Sequence, residues 1–289
     1  MSGFISDILN YGFLQKAMFT SVMVGIICGV IGCFIVLRGM SLMGDAISHA
    51  VLPGVAISYM LGINYFYGAV VAGVLTSVGI GFVSEKSRVK NDSAIGIIFS
   101  AFFALGIILM AKAASSVDLT SILFGNVLAV RSADMWTTLA IGALVLITVV
   151  LFYKELLVTT FDPTLAATFG LPNRLIHYAI MVLLTLVTVA SLRTVGIILV
   201  VAMLITPAST AYLLTDRLPV MIGLSAMFGA LSAVIGLYVS FNYNLPSGAV
   251  IVLAATAIFL LALFFSPKQG LLWRGIRTTR NRRAMQNGE

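Results

Sequence analysis

The stretch AMFTSVMVGIICGVIGCFIVL, residues 17–37, carries no charged side chain and decides the fold class. Its length is that of a helix crossing about 30 Å of hydrocarbon, which takes roughly 20 apolar residues. Strands of a membrane barrel would instead alternate polar and apolar residues over roughly 10 positions. We therefore predict an all-α polytopic membrane protein, residues 1–289, in which about nine such apolar runs form the transmembrane helices of a single domain. The other runs lie near residues 44–61, 65–84, 94–111, 135–153, 175–192, 194–214, 218–240 and 247–265.

The composition supports this class and excludes others. Hydrophobic residues make up 60% of the chain and charged residues 9%, with a mean hydropathy of +1.11. Soluble domains carry roughly 25% charged residues. The net charge of +7 does not indicate a nucleic-acid partner, because five of the 17 basic residues lie in the tail at 273–289 and most others flank apolar runs. That distribution is typical of a membrane protein with a positive cytoplasmic side.

Basic residues also predict the orientation. With nine spans and the C-terminus inside, 13 Lys and Arg fall on the cytoplasmic side and 4 on the outer side. The N-terminus is then outside and the C-terminus cytoplasmic. Residues 1–16 lack the pattern of a signal peptide and predict a short interfacial helix. Residues 268–289 form a basic cytoplasmic tail that can contact anionic lipid.

A polar pair interrupts the second apolar run, in GDAISHAVLPG at residues 44–54. Asp45 and His49 are four residues apart and share one face of a helix. Charged groups within a bilayer cost roughly 2.5–3.5 kcal/mol and usually mark a pathway. Aspartate and imidazole are ligands for divalent transition metals. Two copies of the chain related by a twofold axis would supply two carboxylates and two imidazoles, which could form one metal site. The alternative is that the two side chains bond each other and only stabilise the fold.

A short helix is predicted in the connection at 154–174. Asp162 is a good N-cap, Pro163 suits the first helical position, and Gly170 suits the stop. Within residues 162–170, Leu165 and Phe169 lie four apart and form a small apolar face. The segment is either a connector helix that rests on the bilayer surface or a protruding helix that inserts into a soluble partner.

The segment at 112–134 is too long for a turn and contains LTSILFGNVLAV. These twelve residues would form a helix of about 18 Å, too short to span the bilayer. We expect the segment to dip into or lie along the outer leaflet, with Gly125 and Asn126 at its bend. Asp118 would cap it or attract cations at an entrance.

Four stretches together resemble a known family. RGMSLMGDAISHAVLPGVAISYMLG, DLTSILFGNVLAV, KELLVTTFDPTLAATFG and VGIILVVAMLITPASTAYLL follow one another as in the permease subunits of bacterial ABC importers for manganese, zinc and iron. The resemblance is greatest to manganese permeases of Gram-positive bacteria. It implies a fold similar to that of cobalamin and siderophore importers, in the bacterial plasma membrane. It also implies a homodimer with two ABC ATPase subunits and an extracellular substrate-binding lipoprotein. Asp45 and His49 would line the metal pathway, and FDPTLAATFG would be the cytoplasmic coupling helix.

The sequence is not that of an enzyme. It lacks a G-x-x-x-x-G-K-[ST] phosphate loop, so ATP hydrolysis is expected on a partner chain. An intramembrane aspartyl protease, the alternative enzyme class, needs a second aspartate at membrane depth, and the other acids fall in loops or at span ends. A secondary transporter would favour intramembrane charges in both halves. No permanent cofactor is expected. The transported ion would be Mn²⁺, with Zn²⁺ or Fe²⁺ as alternatives in the same family.

Overall fold

The computed structural model describes residues 10–112 and 127–266, and every regular element in them is helical. The helices are α1 Gly12–Leu37, α2 Met43–Ala50, α3 Leu52–Leu61, α4 Tyr65–Lys86, α5 Asn91–Lys112, a 3-10 turn Val127–Ala129, α6 Ser132–Leu151, α7 Tyr153–Phe161, α8 Pro163–Thr168, α9 Asn173–Val195, α10 Ile197–Leu214, α11 Leu218–Tyr243 and α12 Ser247–Phe265.

Eight of these helices are long and apolar enough to cross a membrane, namely α1, α4, α5, α6, α9, α10, α11 and α12. Each lies within a few residues of a predicted span, so the prediction of a multi-pass helical membrane protein is confirmed. The N-terminal expectation needs a correction. Residues 12–16 belong to the crossing helix α1 and not to a separate interfacial helix, and residues 1–9 lie outside the described part.

The predicted span at 44–61 is not one continuous helix. It is divided into α2 and α3, which meet at Val51. Pro53 explains the division, because it has no N–H for the carbonyl of His49 and its ring crowds the preceding turn. The backbone of Gly106 on α5 also packs directly against Pro53. The break therefore follows Asp45 and His49 by only a few residues and lies in a helix contact.

Small residues bring the central helices together. A Cβ on Gly25 of α1 would lie 2.6 Å from the carbonyl oxygen of Gly229 on α11, so both positions require glycine. One turn further along α1, Ser225 donates a hydrogen bond of 2.8 Å to the carbonyl of Gly29. Helices in lipid associate through such close packing and interhelical hydrogen bonds, because lipid tails are as apolar as the side chains. α1 is thereby fixed at the centre, in contact with α6, α10 and α11.

The bundle has two ends, which we name by their arginine and lysine contacts. At the Lys16 face, Nζ of Lys16 in α1 donates to Ser132 at the start of α6, at 2.8 Å. At the Arg38 face, Arg38 at the end of α1 donates to Thr159 of α7, at 2.9 Å. With α2 and α3 counted as one crossing, the described helices pass between the two faces nine times, so α1 begins and α12 ends at opposite faces.

Candidate functional site

Asp45 and His49 lie side by side on α2. Nε2 of His49 is 3.6 Å from Oδ1 of Asp45, which is beyond a short hydrogen bond but within reach of an ion bound between them. The side chain of His49 is 23% exposed and that of Asp45 is 50% exposed. The interpretation that the pair only stabilises the fold predicts a short and enclosed contact. The observed pair is open, so both donors remain available to a ligand.

The site lies near mid-height of the bundle. The ring of His49 contacts Phe99 and Phe103 edge to face, with centroid separations of 6.0 and 5.6 Å. These two phenylalanines stack on each other near the middle of the 22-residue α5. They form an apolar wall against the imidazole. This wall was not predicted from the sequence, although the spacing of four residues between Phe99 and Phe103 on one helix was a usable signal.

The face of α2 beside the pair is closely packed. Ala46, Ser48 and Ala50 are buried, and Gly54 of α3 contacts Gly68 of α4 without room for a side chain. These small residues therefore form a helix contact. Asp45 faces away from it and stands half-exposed on the surface of a single chain. An uncovered carboxylate at membrane depth is unfavourable, so the chain needs a further surface or water over this position.

Asp45 and His49 alone do not make a complete metal site within one chain. Within residues 10–112 and 127–266, no group of three or more His, Cys, Asp and Glu is arranged to hold a metal ion. Pro53 provides no N–H for the carbonyl of His49, but that carbonyl accepts a backbone N–H at the break between α2 and α3 instead. Two side-chain ligands still fall short of the four to six that transition metals take. The arrangement can serve as half of a site, or as a transient station for an ion in transit.

The predicted short helix at 162–170 is present as α8. Asp162 caps it, since its Oδ1 accepts from the backbone N–H of Leu165 at 2.9 Å. Pro163 occupies the first turn and Gly170 ends the segment at a φ of +74°, which favours glycine. The helix is slightly shorter than predicted, because Phe169 is its C-cap residue.

The apolar side chains of α8 point outward at the Arg38 face. Phe169 is 71% exposed and Leu165 is 46% exposed, whereas Ala166 between them is buried. A phenylalanine this exposed on a short capped helix is a protruding apolar group. This geometry suits insertion into a groove on another molecule, and it is also compatible with contact to the bilayer surface.

Part of the outer segment at 112–134 lies outside the described residues. This includes Asp118, Gly125 and Asn126, and the basic tail at 268–289 is outside as well. The described remainder consists of Lys112 at the end of α5, the turn Val127–Ala129, and the start of α6 at Ser132. Both ends of the segment emerge at the Lys16 face.

Comparison with known proteins gives a consistent result. The sequence model of the ABC 3 transport family matches residues 10–266. The chain is 66% identical over 270 residues to the manganese transport system membrane protein MntC of Listeria innocua serovar 6a, covering 93% of this chain and 96% of the relative. It is 52% identical over 274 residues to the manganese import system permease protein ScaB of Streptococcus gordonii, covering 95% and 99%.

Two solved structures are similar as well. PsaBC from Streptococcus pneumoniae, in complex with Fab, contains a chain that is 52% identical, with a TM-score of 0.84 over 93% of this chain and 97% of that chain. A metal-chelate type ABC transporter in an inward-facing conformation is 17% identical, with a TM-score of 0.67 over 90% and 88%. The latter shares the fold.

Proposed function

The chain belongs to the ABC 3 transport family, and on that premise we propose that it is the permease subunit of an ABC importer for a divalent transition metal, in the first place Mn²⁺. The observation that carries this proposal is the open pair of Asp45 and His49 at mid-height of a bundle of membrane helices. A permease needs such a binding site, because a divalent ion cannot cross the hydrocarbon unless protein ligands replace its hydration water.

The functional unit is a homodimer. Half of the Asp45 side chain is uncovered, and one chain provides only two ligand side chains in its described part. A second copy related by a twofold axis would cover the carboxylate and bring a second Asp45 and His49. The ion would then pass between four side-chain ligands, and the aromatic wall of Phe99 and Phe103 would keep each imidazole in place.

Manganese is favoured by the names of the similar proteins MntC and ScaB. Carboxylate and imidazole donors also accept Zn²⁺ and Fe²⁺, and intrinsic affinity rises from manganese through iron to zinc. By affinity alone, a pathway with these donors would favour zinc over manganese, so affinity in the membrane cannot be what selects manganese. Selection for manganese would rest on an extracellular binding protein, and the permease would require only a divalent ion of suitable size.

The energy comes from a partner. We assign α8 as the coupling helix, with Asp162, Pro163 and Gly170 fixing its geometry and Leu165 and Phe169 entering a groove of the ATPase subunit. A dimer would present two such helices to two ATPase subunits. The exposed ring of Phe169 supports this assignment, because burial of a phenylalanine contributes about 1.5–3 kcal/mol of binding.

The Arg38 face is cytoplasmic in this proposal. It carries α8, and the basic residues of the chain are concentrated on its side, in line with the positive-inside rule. The N-terminus is then extracellular and the C-terminal tail cytoplasmic. The segment around Asp118, Gly125 and Asn126 would lie on the outer leaflet, where it would cap the pathway and meet the binding protein. A cysteine at Ser116 would react with an impermeant reagent from outside, whereas one at Leu123 would be protected.

The proposed function is tested by metal accumulation in cells that carry or lack this chain, measured for manganese, zinc and iron. We expect accumulation of manganese to depend on the chain, and the chain to purify together with an ATPase. If only zinc or iron accumulation depends on the chain, the chain would still be a metal permease, but its transported ion would not be manganese. Unchanged accumulation of all three metals would refute a metal permease.

A further inference from the structure

Arg38 joins the metal-ligand helix to the segment that carries the coupling helix. It follows α1 directly, and Gly39 with a φ of +66° turns the chain toward α2. Asp45 is only seven residues further along. On the other side, Arg38 contacts α7, whose last residue immediately precedes the cap of α8, Asp162. One side chain thus connects the two functional elements described above.

The contacts of Arg38 are specific. Its Nε donates to Oγ1 of Thr160 at 3.1 Å and its Nη2 donates to Oγ1 of Thr159 at 2.9 Å. Its Nη1 lies 3.5 Å from Nδ1 of His177 on α9. Both threonine hydroxyls use their own protons on carbonyls of α7, at 2.8 Å for Thr159 and 2.6 Å for Thr160. Their lone pairs therefore point toward the guanidinium, which acts as a fork across two adjacent residues.

Stability alone does not account for this arrangement. Within the described ranges, no carboxylate lies close enough to form an ion pair with Arg38, and the charge is half-buried among neutral acceptors. Burial lowers the pKa of Arg38 to about 10, so it remains protonated at neutral pH. A cation at the end of α1 is favourable toward the helix dipole, but a solvent-exposed arginine would provide that benefit without desolvation.

We propose that Arg38 is a positioning residue that passes displacement of the coupling helix to the metal-ligand helix. When the ATPase moves α8, α7 moves with it, and the fork pulls the turn at 38–42 and hence the start of α2. Asp45 and His49 then change their position relative to the second copy, which alternately forms and opens the station. This inference rests on the proposed function, since it takes α8 as the point where the ATPase acts.

The test uses the full transporter, with its ATPase subunits and binding protein, reconstituted in lipid vesicles. The quantity measured is the amount of Mn²⁺ taken up per ATP hydrolysed, together with the amount of assembled complex. Arg38→Gln removes the charge and the fork, and uptake per ATP should fall about tenfold, as expected when charge-assisted hydrogen bonds are lost. Arg38→Lys should restore part of the coupling, because an ammonium reaches one hydroxyl and not both.

Two further variants complete the design. Thr159→Val with Thr160→Val removes the acceptors at nearly constant shape and leaves Arg38 in place, and it should also lower uptake per ATP. Arg174→Gln is the matched control, since Arg174 belongs to the same face, is 79% exposed and lies 3.8 Å from Glu85. This control should keep the wild-type ratio.

The outcomes separate the two proposals. A variant that merely destabilises the protein would lower assembly, uptake and hydrolysis together and leave the ratio unchanged. Wild-type uptake per ATP in Arg38→Gln would overturn the inference. If Arg38→Gln does not assemble, the double valine variant is used instead. Wild-type uptake per ATP in that variant would also overturn the inference. A wild-type complex that hydrolyses ATP without moving any of the three metals would instead refute the proposed function.

Discussion

Replacing Asp162 by alanine removes the N-cap of α8 and leaves its apolar side chains intact. The cap is one hydrogen bond of 2.9 Å, from the N–H of Leu165 to Oδ1 of Asp162. The helix has only 6 residues, and isolated helices shorter than about 12 residues are not stable in water. Its conformation therefore depends on its ends, which makes the cap a sensitive position.

The size of the effect follows from the structure. Loss of an aspartate cap costs about 1 kcal/mol, which corresponds to about a fivefold change in a two-state population. The C-terminal end would still be held, because the N–H groups of Gly170 and Leu171 bond to carbonyls of α8 at 3.0 and 3.1 Å. If the ATPase binds only the helical form, its apparent Kd should rise by about twofold to fivefold.

The assay is a titration of the purified permease with its ATPase subunit, in nanodiscs and without nucleotide. Asp162→Asn is the matched control, since asparagine caps as well as aspartate does, and it should keep the wild-type Kd. Equal Kd values for the alanine variant and the wild type would refute the reasoning, because they would mean that the interface does not depend on this helix.

Three further changes have defined outcomes. Phe169→Asp should weaken ATPase binding by more than about tenfold, because it puts a charge into the groove proposed to receive Phe169, while leaving the melting temperature of the permease unchanged. Gly229→Ala should destabilise the protein by about 1–3 kcal/mol, measured by thermal unfolding in detergent, since its Cβ would overlap the facing backbone of α1; Gly223→Ala on the same helix has open space and should be neutral. Phe103→Ala should raise the KM for metal uptake more than it lowers the maximal rate, since the ring of His49 loses its wall and samples other orientations.

Much of the fold could be predicted because its signals are local. The apolar runs fix the membrane helices, since each span must be continuous and nearly free of charge. The short helix α8 could be predicted equally well. Asp162, Pro163 and Gly170 lie within a few residues of each other. The N-cap bond of Asp162, the fit of Pro163 in the first turn and the helix stop at Gly170 do not depend on the rest of the chain.

The remaining features depend on contacts between distant residues. Pro53 within an apolar helix is compatible with either a bend or a break, and the packing of Gly106 against it belongs to the tertiary structure. The wall behind His49 comes from α5, whose residues around Phe99 and Phe103 are apolar apart from Ser100. The contact of Arg38 with Thr159 joins residues 121 positions apart, and neither residue type indicates the other. Such pairings become visible only once the helices are assembled.

The central claim is that Asp45 and His49 carry the transported ion. The most direct measurement is ATP-driven uptake of Mn²⁺ at limiting metal by the reconstituted complex, for the wild type, Asp45→Ala and His49→Ala. We predict uptake by the wild type and a loss of at least about tenfold in each variant, as for the removal of groups that support a metal site, with assembly on the ATPase retained. Wild-type uptake by both variants would contradict it.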